Sequence, residues 1–93
     1  MPPRVVAIVA EDETPAPAVG QVWQDNDRRS YGRHLMIEDI GETHAVMVEV
    51  SYRPSNGAVT AQGQPRRTRV RLDRLRPTST GYRYVTTVAG GVL

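Results

Sequence analysis

Arg67, Arg69 and Arg71 recur at every second position of the stretch Arg66-Arg67-Thr68-Arg69-Val70-Arg71-Leu72-Asp73. In an extended strand that spacing sets their guanidinium groups on one face about 7 Å apart, close to the phosphate spacing along a single nucleic-acid strand. Val70 and Leu72 then point the other way, into a core. Arg74, Arg76 and Arg83 extend the basic patch. Trp23, Tyr31, Tyr52, Tyr82 and Tyr84 are candidate stacking surfaces for bases. The expected docking set is Arg67, Arg69, Arg71, Arg74, Arg76 and Arg83 with Trp23 and Tyr52. A plainer reading puts Trp23 and Tyr52 in the core or at its rim. It lets Asp73 and the acids of the first half neutralise the arginines as cross-strand pairs, which bind nothing.

The charge is unevenly placed. A net +2 over 93 residues conceals −5 in residues 1–50 and +7 in residues 51–93, where Asp73 is the sole acid. Clustered cations of this kind imply an anionic partner. All twelve basic residues are Arg, which codon bias explains more simply than function does. Every cation is nonetheless a planar, bidentate donor.

Other chemistry is sparse. The absence of Cys excludes disulfides, thiol nucleophiles and thiolate metal sites. Asp25, Asp27 and Arg29 echo the start of a calcium loop, but Arg29 breaks the ligand alternation. An Asx-rich turn whose carboxylates pair with Arg28, Arg29 or Arg33 is the expectation there. His34 and His44 are two imidazoles without a third ligand and are read as surface residues. Ser30, Ser51, Ser55 and Ser79 lie in no nucleophile motif, and no glycine loop suits a phosphate. No enzymatic activity, cofactor, metal or small-molecule substrate is expected.

The elements that position these residues are short strands. Residues 1–18 read as a leader and acidic, proline-broken linker, with a possible strand at residues 5–9. The apolar stretch is too short for a signal peptide or a membrane span, so a cytoplasmic location with no membrane partner is expected. Strands are predicted near Val19–Gln24, Arg33–Ile40, Thr43–Tyr52, Arg66–Asp73 and Tyr82–Val85. Gly41-Glu42 suits a type II′ hairpin turn. Val46, Val48, Val50 and Tyr52 share one parity, taken as the inner face. Residues 53–65 read as a long loop, or alternatively as a twisted hairpin continuing through Ala58–Ala61. Arg74-Leu75-Arg76 before Pro77 predicts a one-turn 3-10 segment, and residues 86–93 a flexible tail. The folded domain is residues 19–85, with a core drawn from Val22, Leu35, Ile37, Val46, Val48, Val50, Val70, Leu72 and Leu75.

Such a pattern is all-β, a small antiparallel barrel of four to five strands. Gly20-x-Val22-Trp23 at the start and Arg69 to Pro77 near the end resemble an SH3-like barrel. The chain is also similar to a group of short actinobacterial and actinobacteriophage proteins without an assigned activity. They carry a G-x-V-W-x-D-x-D-x-R-x-x-G-R opening, matched from Gly20 to Arg33, the Arg-Leu-Arg-Pro stretch, and a Thr-Gly-Tyr-Arg tail, matched at Thr80 to Arg83. The resemblance covers residues 19–85 and implies a fold and a genomic neighbourhood rather than an activity. The resulting expectation is a non-catalytic module docking its Arg-rich strand face on an acidic partner. Charge clustering ranks nucleic acid ahead of an acidic host protein. A self-associating assembly subunit or homodimer is the third reading, through an open edge such as Arg66–Leu72.

Overall fold

Alternating β-branched and polar residues fold into a single antiparallel sheet in the computed structural model, which describes residues 14–30, 32–91 and 93. The expected strand at residues 5–9 and the candidate stacking residue Tyr31 lie outside the described residues. Among the described residues six strands follow in chain order: β1 (Gln21–Asp25), β2 (His34–Ile40), β3 (His44–Arg53), β4 (Ala58–Ala61), β5 (Arg67–Arg71) and β6 (Tyr82–Thr87). Among the described residues helical structure is confined to the one-turn 3-10 segments Arg28–Ser30 and Leu72–Arg74 and to a turn at Ala89–Gly91, which is broken at Gly90 (φ 76°). Among the described residues no helix is long and apolar enough to cross a membrane.

β3 is the organising strand. One edge pairs with β2; the other pairs with β5 along its first half and with β4 along its second, giving the order β4-β3-β2-β1-β6 with β5 beside β3. The sheet does not close, because among the described residues no pairing joins β5 or β4 to β6. The expected barrel is therefore an open sheet. Its fifth and sixth strands are separated by the 3-10 turn Leu72–Arg74, which falls two residues before its expected place at residues 74–76.

Residues 53–65 are not a loop throughout. Asn56 accepts a hydrogen bond from the Ala58 main chain, Gly57 takes the left-handed conformation (φ 72°), and β4 returns along β3. The hairpin reading of this stretch is the one observed. Between β2 and β3 the connection is three residues rather than two, and Gly41 does not take the positive φ that a type II′ turn demands. β6 runs to Thr87, and the Val88 N–H bonds the Gly20 carbonyl at 2.8 Å, so the segment read as a tail begins inside the sheet.

Both faces of the sheet bury apolar side chains. Trp23, Leu35, Ile37, Ala45, Met47, Val70, Leu75 and Tyr82 form the inner core. Val22, Met36, Val48 and Val50 form a second cluster on the opposite face, under Val59, Val85 and Val88. The parity expected to face inward on β3 thus faces outward, and the shorter-looking set Ala45 and Met47 is the one against Trp23. Trp23 is fully buried, donates its indole N–H to Gln21 and meets Tyr84 edge-on with centroids 5.7 Å apart. The Gln21 amide in turn binds Ala16 and Ala18, tying the lead-in segment to the core.

The chain between the 3-10 turn and β6 closes tightly around Gly81. Its N–H bonds the Thr78 carbonyl, and its own carbonyl accepts from Asn26 at 3.0 Å. A methyl group at Gly81 would stand 2.3 Å from the Arg76 carbonyl oxygen and 2.9 Å from that of Arg74. Gly81→Ala is therefore expected to destabilise the fold by about 1–3 kcal/mol, since main-chain atoms must move to admit it. Urea unfolding compared with wild type checks this; an unchanged midpoint would contradict the packing described.

Candidate binding site at the open edge of β5

Thr68 and Val70 alternate with long-stemmed arginines, so β5 buries one side and solvates the other. Arg67, Arg69 and Arg71 pair with Val48, Val46 and His44 of β3 and share their outward face. The expected extended stretch after Pro65, with aliphatics in and guanidiniums out, is what the fold contains. Main-chain direction adds a second property. Leu72 N–H bonds Thr43 and Glu49 N–H bonds Arg66, both at 2.9 Å, at the two ends of the same register. Hydrogen-bonded pairs alternate along an antiparallel ladder, so residues 66, 68, 70 and 72 face β3. The main-chain N–H and C=O groups of Arg67, Arg69 and Arg71 consequently point away from it. Among the described residues no strand pairs with that edge.

Two cations of the row are neutralised within the chain. Arg67 grips Glu38 with two bonds of 2.8 and 3.2 Å, and Arg71 grips Asp73 at 3.3 and 3.0 Å. The hydrogen bond and charge of Glu38 raise the Arg67 pKa; Asp73 does the same for Arg71. Asp73 is correspondingly lowered, first by its bond to Arg71 and further by the charges of Arg76 and Arg74. These pairs are accessible, with 56% and 32% of the Arg67 and Glu38 side chains exposed and 62% and 58% of those of Arg71 and Asp73. Exposed pairs of this kind hold weakly, about 0–1 kcal/mol, and open readily to a competing anion. Arg69, at the centre of the row, makes no ion pair among the described residues.

Beside this edge a cleft of about 180 Å³ is lined by Arg33, His44, Thr68, Arg69, Val70, Arg71, Arg74 and Tyr82. It lies where β5, the 3-10 turn and the start of β6 meet. Arg33 is held by the buried Asp25 at 2.9 Å, and its Nε is buried with no hydrogen-bond partner. Burial works against the Arg33 charge, but the bond and attraction of Asp25 outweigh it and its pKa is raised. Burial likewise raises the Tyr82 hydroxyl, helped by Asp25 and opposed by Arg33 and Arg74. Arg74 donates to the Thr80 carbonyl. Asp27 pairs with Arg29 at 3.0 Å, which holds its carboxyl down at about 2. The Asx-turn reading of Asp25 and Asp27 is the arrangement found.

The other expected residues separate from the row. Trp23 is inside the core and offers no face to a ligand. Tyr52 and Arg83 lie together in a different, shallow pocket of about 460 Å³ with Gln24, His34, Pro54, Tyr84 and Val85. There the His34 and Tyr52 rings stand 5.1 Å apart, and Arg83 donates to the Gln24 amide oxygen. Arg76 is exposed and lines neither site. His34 opens β2 opposite Val50 of β3, whereas His44 opens β3 opposite Arg71 of β5, so the two lie at opposite ends of the β2–β3 pair and do not approach each other. The cleft also holds Arg33 and His44, which the sequence did not place in the docking set, and Tyr82, which it offered only as a stacking surface. Only the Arg33–Asp25 pairing had a local signal. Among the described residues no group of three or more His, Asp or Glu side chains gathers in a metal-binding arrangement.

No protein-family model, curated protein or solved structure matches this chain.

Burial lowers the His34 pKa from 6.5; the Arg83 charge adds to this, and a hydrogen bond to the Gly32 main chain opposes it. A histidine kept neutral by the fold binds its proton more readily once unfolded. Its contribution to stability is complete above 6.5 and is lost as the pH falls through the lower folded value. Urea midpoints measured from about pH 7 down to about pH 5 are expected to fall more steeply for wild type than for His34→Phe, which keeps the ring stack without a titrating group. Parallel slopes would refute this.

Proposed function

We propose that this chain is a non-catalytic binding module that docks an acidic protein partner on the arginine-bearing edge of β5 and the cleft beside it. The observation that carries the reading is Arg69. It is exposed and without an ion pair among the described residues, and it sits midway along an unpaired strand edge between two weakly held arginines. Arg33, Arg71 and Arg74 line the same cleft as Arg69, and among the described residues Asp25 and Asp73 are the carboxylates ion-paired with them. Arginine suits such a face, because its planar fork binds carboxylates bidentately and remains charged when desolvated.

Nucleic acid is the second reading, favoured by the Tyr52, His34 and Arg83 pocket, which combines ring faces with a guanidinium. It ranks behind because that pocket shares no residue with the basic edge, so its ring faces stand apart from the arginine row of β5. Trp23, the largest aromatic side chain, is unavailable to stack.

Fluorescence anisotropy with labelled poly-glutamate and labelled oligothymidylate separates the two. Poly-glutamate is expected to bind with an affinity that falls as salt rises, and the Arg69→Glu, Arg74→Glu double variant is expected to lose that binding. Tight oligothymidylate binding with a log–log salt slope of about −3, unaffected by the double variant but lost in Tyr52→Ala, would transfer the function to nucleic acid. Failure of both polymers to bind would overturn the docking reading.

A further inference from the structure

The free edge of β5 has a geometry that limits what can dock there. Its outward main-chain groups belong to Arg67, Arg69 and Arg71, and the side chains of these same residues project from one face of the sheet. Thr68 and Val70 lie between them on the other face, toward the core. An incoming antiparallel strand that bonds these main-chain groups places its own residues directly opposite the three arginines, on the same face. Its intervening residues fall beside Thr68 and Val70.

A second copy of this chain fits poorly. Antiparallel pairing of two β5 edges about Arg69 sets Arg69 against Arg69 and Arg67 against Arg71, and like charges directly opposite are destabilising. Arginines on an edge are a means of keeping it from pairing with itself. A nucleic-acid backbone meets the charge but offers no regular row of N–H and C=O groups for the main chain.

We propose that β5 accepts an extended acidic segment of a partner protein as an added antiparallel strand. The segment carries carboxylates at alternate positions, opposite Arg67, Arg69 and Arg71, and its intervening residues meet the cleft beside Thr68 and Val70. The partner class follows from two matched alternations, one of charge and one of main-chain hydrogen bonding. Glu38 and Asp73 occupy two of the three guanidiniums in the free protein and are displaced by the guest carboxylates. The inference rests on β5 being the docking face described above.

The test uses the full chain and a synthetic peptide of about seven residues alternating glutamate and valine, with the same peptide N-methylated at its glutamates as control. Binding is followed by anisotropy and by NMR amide exchange. The parent peptide is expected to bind and to slow exchange at the amides of Arg67, Arg69 and Arg71. The N-methylated peptide, equal in charge but without the bonding N–H groups, is expected to bind about tenfold more weakly or worse. Arg69→Pro removes one outward N–H along with the guanidinium, without touching the β3 ladder, and is expected to weaken the parent peptide further than Arg69→Ala, which removes the guanidinium alone. If Arg69→Pro does not fold, the N-methylated peptide carries the same test on the wild-type chain. Equal binding of the two peptides, or unprotected amides in the complex, overturns strand addition while leaving acidic docking intact. Binding unchanged in Arg69→Glu overturns the docking face itself. Oligothymidylate that binds at the edge and displaces the peptide without protecting these amides overturns the proposal in favour of nucleic acid.

Discussion

Two main-chain hydrogen bonds, Leu72 to Thr43 and Glu49 to Arg66, bracket β5 and fix its register on β3. Everything distinctive about the basic edge depends on that register. Because hydrogen-bonded pairs alternate, it turns the polar backbone groups of Arg67, Arg69 and Arg71 outward along with their side chains. A slip of one residue would exchange the faces, driving guanidinium groups toward Met47, Ala45 and the Trp23 core and bringing Val70 into solvent. Burying unpaired guanidiniums is far costlier than exposing a valine, so the alternation of charge along β5 itself selects the register.

With that register set, the arginine row has to be made compatible with a solitary domain. Arg67 reaches across β3 to Glu38, and Arg71 folds back on Asp73 two residues along. Neither pair is deep enough to add much stability, but each lowers the charge density of an otherwise unscreened edge. Arg69 is left between them with no ion pair among the described residues. The pattern disfavours pairing of one β5 with another, so the open edge does not by itself argue for the assembly reading.

How far the sequence foretold this structure depended on whether a feature was local. The alternation in β3 and in residues 66–73 marked two strands and the outward projection of the arginines, because a period of two is written in adjacent residues. It could not say which face of β3 was inner, since Val46, Val48 and Val50 look more core-like than Ala45 and Met47. The second apolar cluster, with Val22, Met36, Val59 and Val85, explains that misdirection: the valine face is buried too, only elsewhere. β4 was ambiguous because a four-residue strand with one partly buried side chain, Val59, has no period to display. The Arg67–Glu38 pair spans 29 residues and arises from β2 and β5 flanking the same strand, a relation that topology creates and spacing does not. Arg33 joined the cleft for the same reason.

The open seam is itself a product of local chemistry. A sheet whose end strands paired directly would bring β5 and β6 edge to edge. Here the chain leaves β5 through the 3-10 turn at Leu72–Arg74, and Leu75 seats in the inner core. Pro77 prevents the turn from lengthening into a helix. The Arg76 carbonyl then accepts from both Thr78 and Tyr82, and Gly81 fits where no side chain can. Asn26, just past β1, bonds Thr78 and Gly81 and fastens this corner to the sheet. These contacts start β6 in register with β1 while setting it aside from β5. The corner that positions Tyr82 and Arg74 at the cleft is thus the same corner that leaves the β5 backbone without an intramolecular partner among the described residues. An edge kept open by a rigid turn is preorganised, so a guest strand would order itself against a fixed template, and most of the entropic cost of pairing would fall on the guest.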